Sequence, residues 1–221
     1  MKLDPVNAVD PSIKTRSGVF FHFLNPTVKS IHIDDIVHAL SHLCRFNGHT
    51  RNFFSVAQHS YECADLSLRF SDDDDPDRQD KAYACLLHDA HEAYIGDVTT
   101  PLKAAWGKGF RDFETPIVAT VNEALGLTEI MEKHHEHVKE IDRLMLHSDA
   151  IRWGMDGVIT DRYGAELSAP REWVPPHFKP YFEASEPLSP RAASAEFYER
   201  FFELNGGNRV ASSSVLGDYA R

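Results

Sequence analysis

The stretch Leu86-Leu87-His88-Asp89-Ala90-His91-Glu92-Ala93 places an imidazole and a carboxylate side by side, with a second carboxylate shortly after them. Adjacent helical residues point about 100° apart, so His88 and Asp89 can reach one ion only where the helix turns inward. Glu92 follows His88 by four residues and Asp89 by three, which puts it on the same helix face. The stretch therefore predicts a metal site with Glu92 beside the ion, not necessarily among its ligands.

Two further residues, His59 upstream and Asp142 downstream, bring the candidate ligands to two imidazoles and two carboxylates. This donor set suits a divalent ion that must keep coordination positions free for water and substrate. Taken singly, a buried His is usually a satisfied core residue, and a helical Asp usually faces water. Together, the four residues predict a metal centre built from distant parts of the chain.

The hydrophobic periodicity predicts an all-α chain in which His59, His88-Asp89 and Asp142 lie on three separate helices that converge on one point. Residues Gly18 to Leu24 form the exception, because this short Val- and Phe-rich run is typical of an extended segment. We expect helices over about 35–45, 55–70, 78–94, 99–107, 115–126, 128–152 and 189–206.

Capping residues and helix breakers set the expected helix ends. Asp34 is a candidate N-cap, and Ser55-Val56-Ala57-Gln58 has the form of a capping box. Gly107 and Gly109 are expected to break the short fourth helix. Thr115-Pro116 then predicts a new N-cap followed by Pro at the first helical position.

The helical periodicity is lost between Trp153 and Pro190, where six of the twelve prolines lie between positions 170 and 190. This composition predicts a Pro-rich irregular segment, followed by a final helix with Phe197, Phe201 and Leu204 on one side. We expect a single domain over 1–206, with its core at about 30–155 and a C-terminal extension at 156–206. Residues 207–221 are expected to form a flexible tail.

The formal net charge of −11 argues against broad binding to nucleic acid or to an anionic membrane. It is compatible with a phosphorylated small molecule, because a bound cation can dominate the local field. Cys44, Cys63 and Cys85 lack CxxC spacing, which favours free thiols in a reducing compartment. No secretion signal or membrane span is evident, so we expect a cytoplasmic protein, in the host cytoplasm if a phage encodes it.

The order His59, His88-Asp89, Asp142 resembles the H…HD…D pattern of the HD-domain superfamily of metal-dependent phosphohydrolases, over about residues 18–155. The resemblance is strongest to the small single-domain branch near bacterial 5'-deoxynucleotidases and phage deoxyadenosine triphosphate triphosphohydrolases. It implies an HD-domain helical bundle holding one divalent ion, Mn, Co, Zn or Fe, with Mg possible alongside the substrate phosphates. The implied metal ligands are His59, His88, Asp89 and Asp142.

The same resemblance implies that Glu92 and Asp97 lie near the reacting phosphate as catalytic residues. Glu92 could carry a proton between the attacking water and the leaving 5'-oxygen, and Asp97 could hold that water or a residue behind the metal. The spacing does not decide which of the two is the general base. In that branch an Arg and an aromatic residue upstream of the first ligand help to select the sugar. In this chain the counterparts are Arg45 and Phe46. Other candidate contacts to the substrate phosphates are His49, Arg51, His91 and Lys103.

The activity that this resemblance implies is hydrolysis of the 5' phosphoester of a (deoxy)nucleotide, dATP and dAMP being candidate substrates. The products would be a (deoxy)nucleoside and phosphate, diphosphate or triphosphate. The alternatives are an alarmone or cyclic-nucleotide hydrolase and a non-catalytic, metal-stabilised binding module. Alarmone hydrolases carry an acidic residue where this chain has Ala93. Homo-oligomers are expected by analogy with the branch, with Trp153 and Trp173 as candidate exposed contacts.

Overall fold

Helices dominate the structure and follow one short hairpin. The computed structural model describes residues 11–154 and 186–205, and all structural statements here concern those residues. Two 3₁₀ turns, Val28–Ser30 and Arg45–Gly48, flank the first helix. The main elements in chain order are β1 (Ser12–Lys14), β2 (Phe20–His22), α1 (Ile33–His42), α2 (Val56–Phe70), α3 (Arg78–Leu87), α4 (Glu92–Ile95), α5 (Thr100–Trp106), α6 (Lys108–Ala124), α7 (Thr128–Arg152) and α8 (Pro190–Asn205). The all-α prediction is confirmed.

The hairpin pairs β1 and β2 antiparallel, with Ile13 opposite Phe21. Only β2 lies within the region predicted to be extended, since β1 precedes it, and the hairpin buries one side chain of β2. Phe21 is fully buried and stacks on Tyr94 of α4 with ring centroids 4.1 Å apart. The hairpin therefore packs against the short helix that follows His88-Asp89.

The hydrophobic core lies between α2 and α3 and the helices around them, α1, α7 and α8. A second apolar cluster fills the interface of α2, α3 and α7 one turn away from His59, His88 and Asp142. Its buried members are Cys63, Leu66, Ala84, Cys85, Val138, Ile141 and Met145. Burial of apolar surface stabilises this interface by about 25 cal/mol per Å². Because buried side chains are closely packed, the interface forms a rigid base for the polar residues at its end.

The predicted capping box at the start of α2 is half formed. The Ser55 hydroxyl accepts a hydrogen bond from the Gln58 backbone N–H at 3.1 Å, as an N-cap does. The Gln58 side chain does not complete the box: its Nε2 donates to Glu62 Oε1, and its Oε1 accepts from the Leu188 N–H. Gln58 thus joins α2 to the segment that enters α8.

The prediction of one helix over 78–94 is wrong, because α3 ends at Leu87 and α4 begins at Glu92. The His88 Nδ1 lies 2.8 Å from the Cys85 carbonyl and occupies an acceptor at the helix end. The backbone then closes tight turns, such as Ala90 N–H to the Leu87 carbonyl. This is the inward-facing turn that the His88-Asp89 pair requires. Gly96, at φ 81°, ends α4.

Three other predicted helix boundaries are corrected. Asp34 is not the N-cap of α1, which begins at Ile33 after His32; Asp34 lies in the first turn and accepts from the Tyr198 hydroxyl. Gly109 does not break a helix, although Gly107 does, with φ 73°. Thr115-Pro116 lies inside α6, where the Thr115 hydroxyl donates to the Arg111 carbonyl. Burial of one α6 face offsets the hydrogen bond lost at the proline.

The final helix is confirmed as α8. The Ser189 hydroxyl accepts from the Ala192 N–H, and Phe197, Phe201 and Leu204 are buried against the core. The predicted irregular segment, the flexible tail and Trp173 fall on 155–185 and 206–221, outside the described residues, so the domain boundaries stay predictions. Among the described helices, none combines the length and apolar character needed to cross a bilayer.

Candidate metal centre

The structure brings the four predicted ligands together at one end of the α2–α3–α7 interface. His59 lies in the first turn of α2, His88 and Asp89 follow the last residue of α3, and Asp142 is in the middle of α7. The His59 Nε2 lies 3.2 Å from Asp142 Oδ1 and 4.0 Å from Asp89 Oδ2. The His88 Nε2 lies 3.2 Å from Asp89 Oδ2 and 3.6 Å from Asp142 Oδ1. Two imidazoles and two carboxylates therefore face one small volume.

Both imidazoles aim the same nitrogen into that volume. The Nδ1 of His59 lies 2.8 Å from Asp149 Oδ2, and the Nδ1 of His88 lies 2.8 Å from the Cys85 carbonyl. An Nδ1–H that donates to such an acceptor leaves the Nε2 lone pair free for a cation, which is the usual arrangement behind a metal-bound His. The His88 Nε2 is buried and has no hydrogen-bond partner in the structure. These residues fit a divalent ion.

The protonation preferences of the cluster also favour a cation. Burial opposes ionisation of Asp142, but the adjacent imidazoles of His59 and His88 hold its pKa well below its usual range. Burial likewise acts against charging of His88, yet Asp89 and Asp142 raise its pKa well above the ordinary value. Protons on imidazole thus balance the carboxylates when no metal is bound. The Asp142 side chain is 44% exposed, so the cluster is open on that side to water and small molecules.

Asp149 is a functional candidate that the sequence reasoning missed. It is fully buried, and its Oδ1 lies 2.7 Å from an Arg152 guanidinium nitrogen. Arg152 also pairs with Glu62 of α2. The available signal was spacing, since Asp149 follows Asp142 by two helical turns on the same face of α7. Asp149 holds His59 in place from the side away from the cluster.

Arg45 lies against this centre. Backbone pairing positions it: the Arg45 N–H donates to the Phe54 carbonyl, and the Val56 N–H donates to the Leu43 carbonyl. The guanidinium lies 3.5 Å from Asp89 Oδ2 and 3.7 Å from Asp149 Oδ2, and it is buried. Arg45 is therefore not a surface ion pair, and its charge lies beside a carboxylate of the candidate metal centre.

Phe46 follows Arg45 in an unusual backbone conformation. Its φ of 53° lies in the left-handed region, which bulky residues rarely adopt and which concentrates at functional sites. The ring is half-buried, and the Arg45 guanidinium carbon lies 5.7 Å from its centroid. This turn presents a cation and an aromatic face side by side.

Glu92 and Asp97 are the two acidic groups predicted to take part in chemistry. Glu92 is buried, and its Oε2 has no hydrogen-bond partner in the structure. Burial, followed by repulsion from Asp89 and Asp97, raises the pKa of Glu92 well above its usual value. Burial also raises the pKa of Asp97, although Arg45 opposes the shift. Both carboxyl groups thus lie within the electrostatic reach of the cluster, and Glu92 is the more strongly held in its protonated form.

His91 and Lys103, two predicted phosphate contacts, meet on one residue that the sequence did not single out. The Glu114 Oε1 of α6 lies 3.3 Å from His91 Nε2 and 2.8 Å from Lys103 Nζ. Burial acts against charging of Lys103, but Glu114, Glu92 and Asp89 together raise its pKa. The interaction with Glu92 and Asp89 puts the Lys103 ammonium near the centre.

His49 and Arg51 have exposed side chains on the loop that precedes α2. The Arg51 side chain lies against Gly154, and its backbone N–H donates to the Trp153 carbonyl. Their role in substrate binding stays a prediction. Trp153 was expected to be exposed, and that expectation is wrong: it is buried and stacks on Phe54 with ring centroids 4.9 Å apart.

Comparisons with known proteins identify a matching family model and similar bacterial proteins. A family model described as an HD domain matches residues 44–144, which include all four candidate ligands. The chain is 33% identical over 198 residues to the uncharacterized protein YfdR of Escherichia coli (strain K12), covering 87% of this chain and 95% of that protein. It is 37% identical over 118 residues to an uncharacterized protein of Rhodobacter capsulatus, covering 52% of this chain and 58% of that protein.

Proposed function

Since this chain belongs to the HD-domain superfamily of metal-dependent phosphohydrolases, we propose that it hydrolyses the 5' phosphoester of a (deoxy)nucleotide. The products would be a (deoxy)nucleoside and phosphate, diphosphate or triphosphate, with dATP and dAMP as the first substrates to test. One observation carries the proposal: a buried guanidinium, that of Arg45, faces the same open cluster as two imidazoles and two carboxylates. That pairing of an anion-binding group with an open metal site suits phosphate chemistry.

His59, His88, Asp89 and Asp142 would hold the ion, since their donor atoms face one volume. A divalent ion bound there would polarise a phosphate oxygen and lower the pKa of a water molecule. Phosphoryl transfer depends mainly on positioning and charge stabilisation, which the chain supplies with its own cations. Arg45 and Lys103 would bind the phosphate oxygens, with His91 and Lys103 both oriented by Glu114.

We assign different tasks to the two acidic groups. Because burial raises the pKa of Glu92, Glu92 is the group proposed to donate a proton to the leaving 5'-oxygen. Asp97, which is only half-buried, would orient the attacking water. Phe46 would offer its ring to the sugar or base beside the Arg45 guanidinium.

The test is an incubation of the metal-loaded protein with nucleoside mono-, di- and triphosphates in both sugar series. Mn, Co, Zn and Mg are supplied in turn, and the products are separated by chromatography. Release of a nucleoside together with the intact phosphate chain supports the proposal. Release of pyrophosphate with a nucleoside monophosphate left behind rejects the proposed bond.

The alternatives make different predictions in the same assay. Cleavage of a guanosine tetraphosphate-type alarmone or of a cyclic nucleotide would replace the nucleotide proposal, although Ala93 stands where alarmone hydrolases carry an acidic residue. A binding module would hold its ion in a closed site, whereas the Asp142 side of this cluster is open.

Self-association is proposed by analogy alone, because Trp153 is buried and its indole is not available as a contact. Light scattering of the dilute, active protein tests it, and a fully active monomer would reject it.

A further inference from the structure

A thiol lies at the edge of the metal centre. Cys63 follows His59 by one turn of α2 and is 1% exposed. Its Sγ lies 3.5 Å from His59 Nε2, the nitrogen that faces the cluster. Donor atoms of Cys63, His59 and His88 all lie within 4.8 Å of one another. The thiol therefore shares its surroundings with the two imidazoles.

We propose that the Cys63 sulfur binds the same ion as His59 and His88 and makes this centre prefer borderline-soft metals, Zn²⁺, Co²⁺ or Fe²⁺, over Mn²⁺ and Mg²⁺. This inference rests on the metal centre of the proposed function and adds the choice of ion to it. Thiolate sulfur favours soft and borderline ions, whereas carboxylates and water suit hard ones.

The distance between the two donors is compatible with a shared ion. With metal–nitrogen bonds of about 2.0–2.1 Å and metal–sulfur bonds of about 2.3 Å, two ligands about 90° to 110° apart at the ion stand about 3.1–3.6 Å from each other. The observed separation of Sγ and Nε2 is 3.5 Å. The sulfur also lies 3.9 Å from the His59 Nδ1, beside the imidazole ring, so rotation of the Cys63 side chain, without displacement of α2, would bring it to the ion. On binding, the thiol proton leaves to solvent and the sulfur lone pair forms the bond to the ion.

Cys63 belongs to the buried apolar cluster between α2, α3 and α7, which also contains Leu66 and Met145. The second buried thiol of this interface, Cys85, lies on α3 and is also 1% exposed. Cys85 is not in the group of donor atoms formed by Cys63, His59 and His88, and its backbone carbonyl lies 2.8 Å from the His88 Nδ1. It is a matched control of equal burial.

The experiment uses the full chain, stripped of metal and reloaded with Co²⁺, in four forms: wild type, Cys63→Ser, Cys63→Ala and Cys85→Ser. A thiolate bound to Co²⁺ gives a charge-transfer absorption in the near ultraviolet that oxygen and nitrogen ligands do not give. We expect this band in the wild type and in Cys85→Ser, and its loss in both Cys63 variants. Circular dichroism verifies that each protein is folded, and the alanine variant replaces the serine variant if a buried hydroxyl unfolds it.

A competition measurement gives the second readout. The wild type and each variant are dialysed against equal Zn²⁺ and Mn²⁺, and the bound metals are counted. We expect the preference for Zn²⁺ to fall by at least about tenfold in Cys63→Ser, and to stay unchanged in Cys85→Ser.

The outcomes separate this inference from the proposed function. If the wild type binds Co²⁺ and hydrolyses nucleotides without the band, or Cys63→Ser keeps the preference for Zn²⁺, the role of Cys63 is rejected and the function stands. If the band appears and no nucleotide is hydrolysed, Cys63 is supported and the function fails. If the wild type binds no ion, both are rejected.

Discussion

The carboxylate of Asp149 lies 2.8 Å from the Nδ1 of His59, although 90 residues separate them in the chain. Arg45 and Arg152 lie on the two oxygens of that carboxylate and balance its charge in the interior. Groups in this position fix the ring orientation and the tautomer of a metal-binding His. The arrangement of His59 is therefore set by a residue two turns beyond the candidate ligand of α7.

Asp149→Asn should weaken metal binding by about ten- to a hundredfold, because the amide no longer enforces the His59 tautomer with Nε2 free. The measurement is the apparent Kd for Zn²⁺ in competition with a chelator. Glu62→Gln is the matched control, since Glu62 is buried and pairs with the same Arg152 from α2. Equal losses in the two variants would show that the effect is a general disturbance of the ion-pair network.

Asp89→Ala and Glu92→Gln should fail in different ways. Asp89 lies within 3.2 Å of His88 Nε2, so its removal should abolish both the bound metal and turnover. Glu92→Gln should keep the metal and lower kcat by about 10²–10⁴-fold, which is the usual contribution of a general acid or base. Metal analysis and kinetics are run on the same preparations. A Glu92→Gln protein with normal turnover would remove Glu92 from the mechanism.

The stability of the metal-free protein should fall as pH rises, through the raised pKa of Glu92. Burial first, then repulsion from Asp89 and Asp97, makes the folded protein bind that proton more tightly than the unfolded chain does. The stabilisation is therefore complete below the ordinary glutamate pKa and is lost as pH rises through the folded value.

Urea unfolding at about pH 5 and about pH 8, with a chelator present, measures this effect. The free energy of unfolding of Glu92→Gln, relative to that of the wild type, should increase from about pH 5 to about pH 8. The increase should exceed ~0.5 kcal/mol, which is the usual size of the effect of a surface substitution. Adding the divalent ion should shrink the gain, because its charge favours ionised Glu92. If the free energy of unfolding differs between Glu92→Gln and the wild type by the same amount at both pH values, the raised pKa of Glu92 is contradicted.

Arg45→Lys should lower kcat/KM by about ten- to a hundredfold even though it keeps the positive charge. A lysine cannot reproduce the planar fork that reaches toward both Asp89 and Asp149, nor the one that binds phosphate at two points. Steady-state kinetics with the best nucleotide provide the measurement. Arg111→Lys, an exposed position on α6, is the control and should change little. Wild-type kinetics in Arg45→Lys would exclude a bidentate role.

Glu114→Gln should raise KM about tenfold with a smaller effect on kcat, since it releases both Lys103 and His91 from one carboxylate oxygen. Michaelis profiles at several substrate concentrations separate the two constants. Glu123→Gln, exposed on the same helix, should leave both unchanged. A fall in kcat alone would mean that Glu114 acts on the chemical step and not on substrate binding.

The helical fold could be predicted because it depends on local spacing, and the convergence of His59, His88-Asp89 and Asp142 could be predicted because the donors lie on buried helix faces. Apolar periodicity identifies a helix face, and donor residues on those faces must point the same way as the buried stripe. The prediction of a continuous helix through residues 88–91 failed for a local reason that periodicity does not show. The His88 Nδ1 lies within hydrogen-bond distance of the Cys85 carbonyl, and the backbone forms tight turns there instead of continuing the helix.

Sequence spacing alone could not identify residues whose role depends on a partner far along the chain. Glu114 matters only because α6 carries it to Lys103 and His91. It has no distinctive sequence setting, and its surroundings are created by helix packing.

By itself, the sequence determined the helical class and the donor set of the candidate centre, because a side chain's chemistry and its place on a helix face are local properties. Only the tertiary structure decided that Asp149 stands behind His59, that Arg45 is buried against the carboxylates, and that Asp142 leaves the cluster open. Those relationships arise when α2, α3 and α7 bury a common apolar interface and fix the distances between groups that the chain keeps far apart.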